Sequence, residues 1–232
     1  MKKTIYYLLF PFLSIFASCS TSDDTNLNDD GNGNPANSSY WPYAIGNKWQ
    51  FKNIDDPEDT FVHHIYKTIN YEGNTYFQIE PLNALEETEP TEGTREYNGV
   101  FYELHGASSQ MGVNISAGTM KSINTNLSVG QEWTDDLTLT ISGAASGVIQ
   151  HTNKGKIVEK VASVIINGKN YQNVLKTELI KTVLNSITGS SFTIKYEDWL
   201  AKGIGPVYRK TTYYYDNNEE IEEYQLTSYS LN

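Results

Sequence analysis

The chain has 232 residues, enough for one large β domain or two small ones, and carries 17 Lys and Arg against 28 Asp and Glu, a net charge of −11. That balance excludes an ordinary nucleic-acid binder, because phosphate backbones reward positive charge through counterion release and no basic stripe with interleaved aromatics is present. The same sign argues against an electrostatic grip on anionic lipid headgroups.

The first residues have the three parts of an export signal, assigned to residues 1–18. Met1-Lys2-Lys3 supplies positive charge, Ile5 to Phe16 is largely apolar, and Ala17-Ser18 are small. The apolar run is too short, and too clearly interrupted by Pro11, for a transmembrane helix, which needs about 20 apolar residues. A plain secretory signal requires no cysteine at its end. Phe16-Ala17-Ser18-Cys19 resembles the lipobox of bacterial lipoproteins, with Ala17 and Ser18 at the small positions, Cys19 as the acceptor and Phe16 where leucine is usual. The resemblance implies that diacylglycerol alkylates the Cys19 thiol. One acyl chain binds a membrane only marginally, at about 0.8 kcal/mol per buried methylene, whereas two or three hold it durably. Cys19 is the single cysteine of the chain, so its use leaves no thiol for a disulfide and the core must suffice. Removing Lys2 and Lys3 with the signal leaves 15 basic against 28 acidic residues, a net charge of −13.

Residues 19–39 read as the lipidated cysteine and a disordered acidic tether. Ser20 to Ser39 holds Asp23, Asp24, Asp29 and Asp30, with Leu27 as its one sizeable apolar side chain, and cannot bury enough surface to order itself. A flexible chain of about 20 residues spans roughly 25 Å r.m.s.. The opening Ser22-Asp23-Asp24 resembles the acidic signal that follows the lipidated cysteine in surface-exported lipoproteins of the Bacteroidota; a merely solvated linker facing the periplasm is the alternative.

From Tyr40 onward the pattern is that of an all-β domain, expected over residues 40–232 as a curved, mainly antiparallel sheet, or a partly closed barrel-like or sandwich form. Asn98-Gly99 between Arg95-Glu96-Tyr97 and Val100 to Leu104 predicts a type I′ hairpin, because both central residues need positive φ. Leu137, Leu139 and Ile141 alternate with Thr138, Thr140 and Ser142, and Phe192, Ile194 and Tyr196 alternate with Thr193, Lys195 and Glu197, so both stretches read as strands with one wet face. Further turns fall at Glu72-Gly73-Asn74, Asn167-Gly168-Lys169 and Asp216-Asn217-Asn218. The spacing predicts about a dozen antiparallel strands. Leu175, Leu179 and Val183 have helical spacing, yet Val174 to Thr177 continues a hairpin from Asn167-Gly168, and strand is the favoured reading of residues 174–184.

Four blocks occur in order: Tyr40-Trp41-Pro42-Tyr43 with Ile45-Gly46-Asn47-Lys48-Trp49; Leu127-Ser128-Val129-Gly130-Gln131-Glu132-Trp133; Ile166 to Lys176; and Trp199-Leu200-Ala201-Lys202-Gly203-Ile204-Gly205-Pro206-Val207. Together they resemble the envelope lipoproteins of Bacteroidota whose domains are called TapB-like. The resemblance spans most of residues 40–231 and implies a curved antiparallel fold without an activity. Pro206 stands where leucine is more usual and is expected to shorten a strand, since proline donates no ladder hydrogen bond.

Catalytic and cofactor signals are sparse, and the reading is of a protein that is not an enzyme and carries no cofactor or metal. Gly203-Ile204-Gly205 lacks the spacing of a dinucleotide loop. His63 and His64 are adjacent, so in a strand they face opposite ways and cannot share a metal; His64 and His105 could still meet across strands. Asp55-Asp56-Pro57-Glu58-Asp59 has oxygens that could hold a calcium ion but lacks the Asp-x-Asp-x-Asp-Gly pattern of a calcium loop. Acidic pairs at Asp55-Asp56, Glu86-Glu87, Asp135-Asp136, Glu219-Glu220 and Glu222-Glu223 do not by adjacency supply the two opposed carboxyls of a glycosidase. No Gly-x-Ser-x-Gly elbow is present. The better-stocked resource is aromatic, and Tyr40, Trp41, Tyr43, Tyr213, Tyr214 and Tyr215 are the ligand-binding candidates.

The expectation is therefore an outer-membrane lipoprotein held by Cys19, exposed at the cell surface if the acidic signal acts. Its domain would bind a glycan, lipid or envelope protein. A carboxylate-based hydrolase of envelope or extracellular glycans and a structural subunit of an outer-membrane complex are the alternatives.

Overall fold

The computed structural model describes residues 39–79, 92–215 and 218–232. The export signal, Cys19, Ser22, Asp23, Asp24 and the body of the acidic tether lie outside the described residues, as do Glu86-Glu87 and Asp216-Asn217. Ser39, the last tether residue, is buried; its carbonyl accepts the Gly203 N–H at 2.7 Å and its hydroxyl donates to Glu96.

Fourteen strands form the domain. The first half holds β1 (Lys48–Asn53), β2 (Thr60–Tyr71), β3 (Asn74–Ile79), β4 (Gly93–Tyr97), β5 (Val100–His105), β6 (Ser108–Gln110), β7 (Val113–Ile115) and β8 (Gly118–Asn124). Longer strands follow: β9 (Glu132–Gly143), β10 (Gly147–Ile166), β11 (Lys169–Asn185), β12 (Ser191–Ala201), β13 (Gly205–Tyr215) and β14 (Asn218–Ser230). They make one sheet in the order β6-β7-β9-β10-β11-β12-β13-β14-β1-β2-β3-β4-β5-β8, and every neighbouring pair is antiparallel. No helix occurs among the described residues. The all-β expectation holds, in its open, curved form.

The hairpin at Asn98-Gly99 has both residues at positive φ, 49° and 75°, as a type I′ turn requires. Residues 174–184 lie within β11. Leu175, Leu179 and Val183 have spacing common to a helix and a strand because four is an even number; all three fall on one face of the strand. Pro206 does not truncate its strand. It sits at the second position of β13, beside the register shift at Trp199/Leu200 and before the pairing with β14 begins at Tyr208, so its missing N–H interrupts no ladder there.

The sheet curls until its β8 edge lies over the inner face of β9 and β10, and side chains bridge the gap that strand pairing leaves. Asp135 Oδ2 accepts the Lys121 N–H at 2.7 Å, and Asn153 Nδ2 donates to the Lys121 carbonyl at 2.7 Å. An edge strand's free backbone groups are thereby occupied without a ladder. A register shift between Ile65 and Lys67 in β2 marks where the sheet bends from one half to the other.

The core fills one end of the curl. Trp49, Phe51, Leu200, Val207 and Leu226 are fully buried there, and Trp49 Nε1 donates to the Ile204 carbonyl at 2.6 Å. Gly205 has φ of 114°, and a Cβ there would lie 2.7 Å from Trp49 Nε1, so the chain needs glycine for both backbone and space. The Gly203-Ile204-Gly205 segment is the turn from β12 into β13.

Candidate functional site

Beside this core, the two halves of the sheet enclose a cavity of about 300 Å³. Strand alternation decides which side chains reach it. On β11 the inner face carries Thr177, Leu179 and Lys181; on β12 it carries Tyr196 and Asp198; on β13 it carries Arg209. The opposite wall comes from Phe77 and Ile79 of β3, Thr94 of β4, and Phe101, Glu103 and His105 of β5. Trp41 and Tyr43 enter from the segment before β1.

The aromatic wall is built from short contacts. Trp41 lies 6.0 Å from His63 with planes 14° apart, and Tyr43 lies 5.5 Å from Phe77 with planes 20° apart. The Tyr43 hydroxyl bonds the Thr94 hydroxyl at 2.9 Å. Burial raises the Tyr43 phenol well above its ordinary range, so it stays protonated.

Two ion pairs face this wall. Arg209 Nε and Nη2 donate to the two oxygens of Asp198 at 2.7 and 3.0 Å, a bidentate fork, and Lys181 pairs with Glu103 from the opposite half of the sheet. For both cations burial favours the neutral form but the partner carboxylate outweighs it, and the pKa of each is raised. His105 Nε2 stands 3.7 Å from Glu103, and its ring centroid is 4.5 Å from that of His151. Burial pushes His63 down to about 3 and His105 down to about 4, so both are neutral at pH 7. Trp41 Nε1 and His63 Nδ1, adjacent in their stack, have no hydrogen-bond partner among the described residues. A buried polar group left in that condition costs about 1–3 kcal/mol.

Trp41 and Tyr43 thus reach the cavity, as candidates named from the sequence. Tyr40 packs half-buried against the core instead. Tyr213 shares the inner face of β13 but stands four residues beyond Arg209, about 13 Å along the strand, where its hydroxyl donates to Glu222 at 3.3 Å. Tyr214 and Tyr215 lie at the end of the hairpin, 41% and 48% exposed, beside Phe192 in a shallow surface depression. The two aromatic clusters are therefore not one site.

His64 and His105 do not meet, because His64 is on the outer face of β2 and His105 faces inward; His105 meets His151. Among the described residues no group of three or more His, Cys, Asp or Glu is arranged to hold a metal ion. The described acidic pairs divide among separate structural bonds, such as Asp136 to Thr152 and Glu223 to Tyr208. Two acids from different strands do share the cavity, Glu103 and Asp198, and each is held by its own cation.

Lys181, Glu103, Asp198, Arg209 and His63 were not singled out by sequence as site residues. The available signal was a charge on an apolar face: extending the alternation Phe192, Ile194, Tyr196 by one step reaches Asp198, and extending Leu175, Thr177, Leu179 reaches Lys181.

No family model matches the chain, and no curated protein matches it. Among solved structures, a predicted lipoprotein from Parabacteroides distasonis is similar, with 12% identity and a TM-score of 0.47 over 83% of this chain and 99% of that one. A predicted exported protein with a YmcC-like fold from Bacteroides fragilis is similar at 13% identity and a TM-score of 0.46 over 84% of this chain and 100% of that one.

Proposed function

We propose that the chain is a non-catalytic outer-membrane lipoprotein, anchored through Cys19, whose β domain holds a small ligand in the cavity between the two halves of its sheet. The observation that carries the binding reading is the convergence, in one cavity, of the Trp41 and Tyr43 wall with two ion pairs and the unpartnered Trp41 Nε1 and His63 Nδ1. An apolar pocket with a few convergent polar groups is the usual form of a small-molecule site, and 300 Å³ is at the lower end of the usual range of roughly 300–1,000 Å³. Support for the anchor lies in the signal, the lipobox-like Phe16-Ala17-Ser18-Cys19 and the four blocks that resemble TapB-like domains. Ser22-Asp23-Asp24 favours the cell surface.

Hydrolysis by Glu103 and Asp198 is the second reading, because the two acids line one cavity from different strands. The bidentate hold of Arg209 on Asp198 weighs against it, since a carboxylate with both oxygens engaged is poorly placed to pass a proton. The exposed Phe192, Tyr214 and Tyr215 would serve a partner protein in an assembly role, for which co-purification with an outer-membrane complex is the test.

The binding reading is tested by titrating the small-molecule fraction of the cell envelope into the full-length protein and following tryptophan fluorescence, with Trp41 in the cavity wall. A saturable change is expected. No change at any concentration would overturn it, and turnover of an added compound would favour the hydrolase.

A further inference from the structure

The chemistry of the cavity narrows its occupant. Its lining has charges of both signs that are already matched: Lys181 with Glu103, and Arg209 with Asp198. Glu92, the residue before β4, is the remaining lining acid, and burial raises the pKa of its carboxyl against the opposing pull of Lys181. An anionic ligand would find both lining cations already paired, and the −11 of the whole chain disfavours its approach as well. A cationic ligand would have Glu92 alone to pair with, unless it took a carboxylate away from Lys181 or Arg209 and left that cation buried and unpaired. A wholly apolar ligand would cover the ion pairs and leave Trp41 Nε1 and His63 Nδ1 without partners.

What remains is a neutral molecule with both donors and acceptors and one apolar face. The ion pairs retain capacity for it. Lys181 has three N–H groups, Arg209 has five of which Asp198 takes two, and each carboxylate oxygen keeps a free lone pair. A hydroxyl can donate to a carboxylate and accept from an ammonium without breaking the pair. Trp41 Nε1–H needs an acceptor, and the neutral His63 ring needs either partner according to its tautomer, which a hydroxyl supplies. The Trp41, Tyr43 and Phe77 rings offer flat surfaces for a face of C–H groups.

We infer that the ligand is a net-neutral sugar of one or two rings, its hydroxyls on the Lys181–Glu103 and Asp198–Arg209 pairs and its C–H face on the aromatic wall. This rests on reading the cavity as a binding site. The cavity is too small for a length of polysaccharide to lie within it, so a longer glycan would enter by a terminal unit.

The test is calorimetric titration of the full-length protein in detergent with N-acetylglucosamine, galactose and mannose as neutral probes, glucuronate as anion, glucosamine as cation and hexanoate as apolar acid. Leu179→Trp, which fills the cavity from β11, is run in parallel after its melting has been recorded. Saturable binding of at least one neutral sugar is expected, at least tenfold tighter than the three charged probes and at least tenfold weakened by Leu179→Trp. Glu103→Gln, which frees Lys181, should raise glucuronate affinity at least tenfold; an unchanged affinity would count against the matched-charge explanation of selectivity. Tighter binding of a charged probe, lost in Leu179→Trp, would overturn the sugar assignment and leave the cavity as a binding site. Failure of all neutral probes overturns the sugar assignment too, and failure of the envelope fraction as well would remove the binding site itself.

Discussion

Arg209 reaches from β13 to Asp198 on the adjacent strand and engages both carboxylate oxygens, at 2.7 and 3.0 Å, inside the curl of the sheet. The pair is largely shielded from water, with side-chain exposures of 21% and 9%, so its partners depend on each other more than surface charges do. Asp198→Ala leaves a buried guanidinium unmatched and is expected to cost about 3–5 kcal/mol in urea unfolding. The double change Asp198→Leu with Arg209→Met should recover most of that loss; a single variant as stable as the parent would show that the pair is not desolvated.

Acid should weaken the fold through His63. Its folded-state pKa of about 3 is below the ordinary 6.5, so between those values the unfolded chain binds the proton and the folded chain does not. The stability tied to a neutral His63 is complete above pH 6.5 and declines as the pH falls toward 3, by about 2 kcal/mol at pH 5. His105, pushed down to about 4, adds a decline of the same sign. His63→Phe should flatten the dependence between pH 7 and 5, measured by urea midpoints; an unaltered slope would contradict the burial of that ring.

Closure of the sheet by side chains is separately testable. Asp135→Ala removes the acceptor of the Lys121 N–H and should cost about 1 kcal/mol. Amide exchange at Lys121 should accelerate selectively, whereas a uniform change across β8 would point to general loosening.

Packing across β9 and β10 depends on the absence of a side chain. Gly155 pairs directly with Trp133, and a Cβ at residue 155 would lie 2.2 Å from the indole. Gly155→Ala should destabilise by about 1–3 kcal/mol in thermal or urea unfolding.

For the anchor, Cys19→Ala is expected to abolish labelling by a fatty-acid probe and release the protein from the membrane fraction. Unchanged labelling would defeat the lipobox reading. Protease added to intact cells should degrade the domain if Ser22-Asp23-Asp24 acts as a surface signal, and sparing of the domain would place it in the periplasm.

The strands were legible because a half-buried sheet repeats every two residues, as in Leu137, Leu139 and Ile141, and because Asn98-Gly99 permits the φ values of its turn. Two of the sequence blocks meet in space: Trp49 of the first donates to Ile204 of the last, and Gly205 makes room for it. The cavity was only half legible. Trp41 and Tyr43 stand out by composition, but Lys181 meets Glu103 across 78 positions in sequence, a separation set by how the sheet curls. Local periodicity carries no information about which distant strands will face each other. Tyr213, Tyr214 and Tyr215 attracted notice as a run, yet alternation sends Tyr214 to the opposite face, and distance along β13 keeps Tyr213 and Tyr215 from the Trp41 wall.

The most direct measurement is ligand affinity in the parent protein and in Leu179→Trp, compared by tryptophan-independent calorimetry with both proteins shown to be folded by their melting transitions. If the cavity between Trp41 and Asp198 is the binding site, the variant melts cooperatively and its affinity falls at least tenfold. Equal affinity in a folded Leu179→Trp would contradict a site inside the sheet and move attention to the exposed Phe192, Tyr214 and Tyr215.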